Sequence, residues 1–317
     1  MNSPYVERGG ELVYAPPFIA DNVQQYGFLL DADVTKLQGL CDKYLNNPLG
    51  ESRFVPAGPF VMPSCCVLSS LRSSTPPYSE MGWFAENEIA FWILIIDKVT
   101  KRMYWMLPYL WVDNDYAFAM GRELYGFFKG IGSITLPESP DNASLFAVDT
   151  LALKTYAPDS KGAVIRLVQV NKVAGAPEHK SDETESHDSI EAFVKSILKV
   201  ADEGLSFLGN LKLILDSLDD LLHLRIPFVF LKEFRDVADP SKACFQAIVE
   251  AEAKMIKFHS AKVLPNAYDI NIEICDSHPI RADLGLPESG PLPSKISFWV
   301  SYDFEIGLGT QTIIQGT

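Results

Sequence analysis

Lys129 is the residue whose type and surroundings point most directly to chemistry. It follows the aromatic pair Phe127 and Phe128, and the flanking Gly126 and Gly130 allow close approach of the backbone. An ammonium group held among apolar side chains loses solvation, which favours a nucleophilic neutral amine near neutral pH. Such an amine can condense with a ketone to give an iminium, an electron sink for cleavage of a carbon–carbon bond. The alternative is a surface lysine whose stem lies along the aromatic rings.

The segment that contains this lysine, residues 121–132, has the sequence GRELYGFFKGIG. It resembles the signature of the acetoacetate decarboxylase family, in which GRE is followed by a short spacer, a small residue, an aromatic residue and a Pro-Lys-Lys triplet. The resemblance implies that Lys129 is the Schiff-base lysine, because it matches the first lysine of that pair. The residues expected around the substrate pocket are Tyr125, Phe127, Phe128 and Arg122. Arg122 also fits another role, as a structural partner of Glu123 that anchors the turn.

The chain departs from the family pattern at three places. Gly130 replaces the second lysine, so a cation that could activate the first lysine is missing there, and Phe128 replaces the proline. The segment 23–25 offers no match to the arginine that is associated with the substrate carboxylate. The resemblance implies imine formation followed by decarboxylation of a β-keto acid, whereas the missing lysine and arginine weaken capture of the substrate carboxylate and favour other outcomes of the same imine. The alternatives are a Schiff-base aldolase, dehydratase or cyclase of secondary metabolism, and a non-catalytic small-molecule-binding protein.

The resemblance also implies a glutamate that faces the lysine and moves protons. Alignment from the upstream residues selects Glu80, whereas alignment back from the apolar strand at 88–95 selects Glu88. Glu80, Glu86 and Glu88 share one parity, so an uninterrupted strand would place all of them on one face. Two ionised carboxylates in one apolar cavity repel, which raises the pKa of one into a useful range. The alternative is that Glu86 and Glu88 lie in a solvated bend and only Glu80 lies inside.

The elements that must position these residues are mainly antiparallel strands. Residues 88–96 and 103–112 are apolar and aromatic, with the polar segment 97–101 between them, which predicts a hairpin. Residues 54–69 have strand composition but contain three prolines, which predicts an extended segment at a sheet edge. We expect an α+β fold, an acetoacetate-decarboxylase-like curved β-barrel with peripheral helices, in a single domain spanning 1–317.

A helical insertion at about 178–225 interrupts this pattern. Residues 177–188 are polar and acidic, and Asp188 could cap the helix that follows. Apolar residues then recur at helical spacing, first over 190–201 and again over 205–222. Because a helix with an apolar stripe must bury it, the insertion is expected to cap the pocket mouth or to lie at the interface of a homo-oligomer.

Composition excludes several classes of protein. The 317 residues include 27 Lys and Arg against 41 Asp and Glu, for a net charge of −14, so neither nucleic acid nor an anionic membrane surface is an expected partner. The five cysteines and five histidines lack metal-ligand spacing, and the N-terminal residues lack a signal-peptide pattern. We therefore expect a cytoplasmic protein with reduced thiols and no metal or organic cofactor. The expected partner is a small oxo-acid substrate. The aromatic residues around Trp83, Trp92, Trp105 and Trp111 favour one with a larger or aromatic acyl group if they do not simply fill the core.

Overall fold

Two β-sheets form the framework of the chain in the computed structural model, which describes residues 4–7, 13–175, 186–202 and 227–315. The strands, numbered along the chain, are β1 (Phe18–Asp31), β2 (Phe54–Pro56), β3 (Phe60–Ser73), β4 (Phe84–Asp97), β5 (Met103–Val112), β6 (Lys129–Ile131), β7 (Ser133–Thr135), β8 (Leu145–Ala152), β9 (Ala163–Lys172), β10 (Phe228–Arg235), β11 (Ala243–Val263), β12 (Tyr268–Ile272), β13 (Leu292–Pro293) and β14 (Ile296–Gln315). The α-helices are α1 (Val34–Cys41), α2 (Asn47–Leu49), α3 (Asp115–Met120), α4 (Ile190–Asp202) and α5 (Ile280–Leu284). The segments Asp42–Asn46 and Gly121–Tyr125 form π-helical turns, and Tyr78–Glu80 and Pro140–Asn142 form 3₁₀ turns.

The larger sheet is strongly curved. Within the described residues its nine strands have the order β2-β4-β3-β1-β14-β11-β10-β5-β6, and a further pairing of β4 with β5 brings its two halves together. The smaller sheet has five described strands in the order β13-β12-β9-β8-β7. Most pairings are antiparallel, and β5 pairs in parallel with β6 and β10. The prediction of a mainly antiparallel α+β fold with a curved sheet and peripheral helices is therefore confirmed.

Side-chain alternation along the strands divides the interior into two layers. On β4, Ile89, Phe91 and Ile93 point toward the smaller sheet and join a core that includes its Phe146 and Ile270. The intervening residues of β4 point to the inside of the curve, where a second core surrounds a cavity. A sheet buried on both faces thus has one structural face and one face free to line a site.

The segment with three prolines is only partly at a sheet edge. Pro56 lies on β2 at the edge, but β3, which contains Pro63, lies between β4 and β1 in the interior of the sheet. The prediction of an edge position for the whole segment is therefore wrong. The ladder between β1 and β3 passes from the pair Gly27–Ser64 to the pair Leu30–Val61, and Pro63 lies in that gap, where its missing N–H is not needed.

The helical insertion is described only at residues 186–202, where α4 confirms the first predicted helix. Ser189, and not the expected Asp188, accepts a hydrogen bond from the N–H of Ala192 at its start, at 3.2 Å. Phe193 of α4 packs against Ala261 and Val263, so this helix covers the larger sheet. The second predicted helix, over 205–222, lies outside the described residues. Among the described helices, none is long and apolar enough to cross a membrane.

The predicted hairpin connection at 97–101 joins β4 to β5 around a fully buried carboxylate. Asp97 accepts hydrogen bonds from Arg53, from the hydroxyl of Thr100 and from the N–H of Val99, at 2.6 to 2.8 Å. Burial alone would raise the pKa of Asp97, but these donors outweigh burial and lower the pKa to about 2. The ionised form of Asp97 therefore stabilises the folded state.

We predict that Asp97→Asn lowers the free energy of unfolding by about 2 kcal/mol at pH 7, because a shift of one pKa unit corresponds to about 1.4 kcal/mol. The carboxylate contribution is fully present above the unfolded pKa near 3.8 and is lost as the pH falls toward 2. Urea denaturation at pH 7 and at pH 3 measures both effects. The exposed Asp159→Asn is the matched control, and an equal loss in both variants would contradict the prediction.

Candidate active site

A cavity of about 350 Å³ lies inside the curve of the larger sheet, and most of its lining side chains are apolar. A volume in this range suits a small-molecule ligand with few polar groups. The polar side chains among its described lining residues are Gln25, Cys66, Glu86, Glu88, Tyr125, Lys129, Lys254 and Tyr302, together with the indole groups of Trp92 and Trp105. Lys254 is exposed and Glu88 is half-buried, whereas Lys129 and Glu86 are buried.

Lys129 reaches the cavity from the first residue of β6, which pairs with Leu110 of β5. Its side chain is 9% exposed, and its Nζ donates a hydrogen bond to Oε1 of Glu86 at 2.7 Å. Tight packing of the preceding π-helical turn fixes this position, because a Cβ at Gly121 would lie 2.7 Å from Cδ and Cε of Lys129. Gly126, at φ +83°, then turns the chain, and a Cβ there would lie 2.7 Å from the backbone of Lys232.

Glu86 and Glu88 enter the same wall from β4, two residues apart on one face. Glu86 is buried and pairs with Lys129, whereas Glu88 lies next to both charges. Burial raises the pKa of Glu88, the negative charge of Glu86 raises it further, and Lys129 with the Cys66 thiol lowers it, for a result of about 7. A carboxyl group with this pKa can give and accept a proton near neutral pH.

A row of hydrogen-bonded side chains leads to Glu88 across four adjacent strands. The Tyr302 hydroxyl donates to Gln25 at 2.8 Å, and the Gln25 amide donates to the Ser64 hydroxyl at 3.0 Å. Ser64 and Cys66 are hydrogen-bonded at 3.4 Å, and the Cys66 thiol hydrogen-bonds to Glu88, its partner on β4. Burial raises the pKa of both Tyr302 and Cys66 well above the ordinary values, so both groups stay protonated. The row therefore supports Glu88 with neutral groups.

Glu80, one of the two glutamates selected from the sequence, does not line the cavity. It is exposed in the 3₁₀ turn Tyr78–Glu80, and the strand that carries Glu86 and Glu88 begins only at Phe84. The parity argument fails for Glu80 because alternation requires one uninterrupted strand. The alternative that placed Glu86 and Glu88 in a solvated bend is also wrong, since both lie on the cavity wall.

The aromatic residues of the motif divide between the two faces of the chain. Tyr125 and Phe127 line the cavity, as expected. Phe128 instead packs against Tyr44 on the structural side, with ring centroids 4.7 Å apart, because neighbouring residues of an extended chain point in opposite directions.

Arg122 is exposed and is not part of the cavity lining. Its guanidinium donates to the backbone carbonyl of Lys129 at 3.1 Å and lies over the ring of Phe118. The expected pocket position for Arg122 is therefore wrong, and its contact with the backbone of Lys129 anchors the turn that carries the lysine.

Gly130 explains why the missing second lysine has little bearing on this cavity. A Cβ at Gly130 would lie 3.0 Å from the indole of Trp111, which belongs to the core on the structural side. A side chain at this position would thus leave the backbone on the face opposite to Lys129. Residue 130 is adjacent to the lysine in sequence but not in the site.

Sequence reasoning missed four members of the site: Gly121, Gln25, Cys66 and Tyr302. Gly121 opens the recognised motif, and that position was the available signal, whereas its contact with Lys129 is visible only in the structure. The other three lie on strands far apart in sequence, and no local pattern marks them. As for metals, the described parts of the chain contain no group of three or more His, Cys, Asp or Glu side chains arranged to hold an ion.

No protein-family model matches the sequence, and a search of curated proteins finds no match. The fold does match solved structures. Acetoacetate decarboxylase from Legionella pneumophila subsp. pneumophila str. Philadelphia 1 is similar at a TM-score of 0.60 and 13% identity, over 98% of this chain and 92% of that chain. An acetoacetate decarboxylase-like enzyme from Sphingomonas wittichii RW1 is similar at a TM-score of 0.51 and 13% identity, over 99% of each chain.

A third similar structure is that of the enduracididine biosynthesis enzyme MppR, complexed with the condensation product of pyruvate and imidazole 4-carboxaldehyde. Its TM-score is 0.55 at 10% identity, over 97% of this chain and 92% of that chain. The chain therefore has the acetoacetate-decarboxylase-like fold that residues 121–132 implied.

We predict that Glu88→Gln stabilises the protein at pH 8 by on the order of 2 kcal/mol. The folded pKa of about 7 exceeds the unfolded value of 4.5, so the folded state binds more protons between these values and loses stability as the pH rises through them. A neutral glutamine removes this penalty, and its advantage disappears at pH 4. Urea denaturation at both pH values measures the difference. Glu80→Gln, at the exposed glutamate, is the control, and a stabilisation equal in both variants or independent of pH would refute the prediction.

Proposed function

We propose that the chain is a carbon–carbon lyase that decarboxylates a β-keto acid through a Schiff base on Lys129. The observation that carries the proposal is a buried amine, on the wall of an apolar cavity, 2.7 Å from one carboxylate and beside a second with a pKa of about 7. Amine, proton acceptor and acid–base group are the three functions that this chemistry requires. No step of the proposed reaction needs a metal ion or an organic cofactor.

The first step requires Lys129 as a free amine. Its hydrogen bond to Glu86 provides the route for the proton, which passes from Nζ to the carboxylate. The amine then attacks the ketone carbon of the substrate to give a carbinolamine. Glu86 returns the proton to the departing oxygen, water leaves and an iminium forms. The pair of Lys129 and Glu86 thus holds the proton that is removed before the attack and returned when water leaves.

Decarboxylation follows from the iminium. The bond to the carboxylate carbon breaks, carbon dioxide leaves, and the electron pair moves through the new carbon–carbon double bond to neutralise the iminium nitrogen. Protonated Glu88 donates its proton to the carbon of this enamine. Addition of water to the resulting iminium releases the ketone and restores Lys129. A pKa near 7 allows Glu88 to lose and regain this proton in each cycle.

The apolar lining favours loss of carbon dioxide. Lys129 and the exposed Lys254 are the cationic residues among the described lining residues, so the substrate carboxylate has little stabilisation besides the iminium itself. Carbon dioxide is neutral and is better accommodated by this environment than a carboxylate is.

The second candidate function is a Schiff-base condensation or dehydration. The observation that favours it is the fold shared with MppR, which was solved with a condensation product of pyruvate. Both reactions begin with the same imine, and release of carbon dioxide distinguishes them. A non-catalytic binding protein would form no imine at all. Cytoplasmic location and a homo-oligomer, the latter testable by light scattering, stay predictions.

We predict that borohydride reduction in the presence of acetoacetate attaches a stable adduct to Lys129, detected by peptide mass spectrometry. Removal of this lysine alone would leave Glu86 buried without its partner, which destabilises the folded state. The informative variant is therefore Lys129→Met combined with Glu86→Gln, which is neutral at both positions and should fold but give no adduct. Lys161→Met, at an exposed lysine, is the control. An adduct in the double variant would show that the imine forms at a residue other than Lys129.

We also predict that Gly121→Ala slows adduct formation by about 10- to 100-fold, because misplacement of a reacting group by about 1 Å is costly. The added Cβ would lie 2.7 Å from two carbons of the Lys129 side chain, so the amine must move away from Glu86. Gly39→Ala, where a Cβ meets open space on α1, is the control. The free energies of unfolding of the two variants should lie within about 1 kcal/mol of each other. An unchanged rate of adduct formation in Gly121→Ala would show that the Lys129 side chain accommodates the added Cβ without displacement of its amine.

A further inference from the structure

The cavity has a polar level and an apolar level, separated along the strands. The polar level contains Glu88 and its supporting residues Cys66, Gln25 and Tyr302. Four residues further along each of these strands, the wall is formed by Trp92, Met62, Leu29 and Phe298. A four-residue step along a strand spans about 13 Å. The two levels are in register, since Met62 pairs with Trp92 as Cys66 pairs with Glu88.

Aromatic and aliphatic side chains enclose the apolar level. Trp92 packs against Trp105 and Phe228, with ring centroids 5.4 and 5.5 Å apart. On β14, Phe298 packs against Phe193 of α4, with ring centroids 5.8 Å apart. Ile190 and Ile197 of the same helix also line the cavity, so α4 covers this end. The insertion thus adds apolar wall to the site.

Ligand chemistry follows from this distribution. Acetoacetate carries only a methyl group beyond its ketone, so its contacts would be confined to the neighbourhood of Lys129. The chamber extends much further and, among its described lining residues at the α4 end, offers no charged side chain. An unfilled apolar chamber forfeits contacts that a substrate chain would make. Burial of each methylene group improves affinity by roughly two- to fourfold.

We propose, on the basis of the Schiff-base function above, that the substrate is a β-keto acid with a medium-length linear acyl chain. Its ketone lies at Lys129 and its chain extends along the strands toward Phe298 and α4. The chamber between Leu29 and Trp92 selects chain length, and the α4 end excludes a terminal charge.

The test uses the product-type ketones acetone and 2-decanone as probes, with borohydride reduction and mass spectrometry of intact protein. For the wild-type chain, the concentration that gives half-maximal labelling should be lower for 2-decanone than for acetone by on the order of 100-fold. A decanone chain that ends in a carboxylate, 9-oxodecanoate, should lose most of this advantage. Equal half-maximal concentrations for acetone and 2-decanone overturn the chain proposal alone. Absence of labelling by every ketone overturns the Schiff-base function and this inference with it.

A substitution that fills the chamber tests whether the acyl chain of the substrate lies there. Leu29→Trp should raise the half-maximal concentration for 2-decanone relative to that for acetone by at least about 10-fold. Leu151→Trp, at an exposed leucine, is the matched control. Phe193→Ala, on the peripheral helix α4, provides a second variant that does not depend on repacking of the sheet; it should weaken labelling by 2-decanone more than labelling by acetone. If both cavity variants leave 2-decanone labelling unchanged, the chain does not occupy this chamber.

Discussion

The buried ion pair between Lys129 and Glu86 is the interaction on which the rest of the site depends. A lone ammonium or carboxylate in an apolar cavity would carry a large desolvation penalty, and each group here compensates the other at 2.7 Å. The pair leaves Glu88 as the third charge of the set. With one cation and two carboxylates in a small volume, the second carboxylate is the group that holds a proton near neutral pH.

The curved sheet is suited to this arrangement because alternation gives each strand two independent faces. The structural face of β4 packs Ile89 and Phe91 against the smaller sheet, so the opposite face can carry charge without disturbing that core. Neighbouring strands then add a row of polar side chains, from Tyr302 on β14 to Ser64 and Cys66 on β3. The hydrogen bonds of this row restrict the side chains that surround Glu88, and packing against Gly121 restricts Lys129.

Function and stability are in conflict at the cavity wall. Ionisation of Glu88 costs folding free energy that a neutral side chain would not, and the cavity forfeits packing contacts that a filled core would make. The two-layer structure compensates for these costs elsewhere, with an apolar core between the sheets and with local anchors such as Asp97 in the hairpin. A scaffold of this kind can support a destabilising site because the site contributes little to the contacts between the sheets.

The sequence by itself determined the features that depend on local pattern. Residues 121–132 identified Lys129 and the fold type, apolar runs located β4, β5 and their connection, and the spacing of Glu86 and Glu88 placed both on one face. Parity is a property of neighbouring residues, so it can be recognised without knowledge of the rest of the chain.

Only the tertiary structure decided where the strand with this alternation begins and which side chains face it. Glu80 lies outside the cavity because it belongs to the 3₁₀ turn that precedes β4. The orientation of β6 turns Gly130 away from the cavity. Glu86 became the partner of Lys129 through the pairing of β4 with β5 and of β5 with β6. Gln25 and Tyr302 lie 277 residues apart, and strand order and register bring them together. Such contacts depend on how distant segments pair, which no local pattern of residues records.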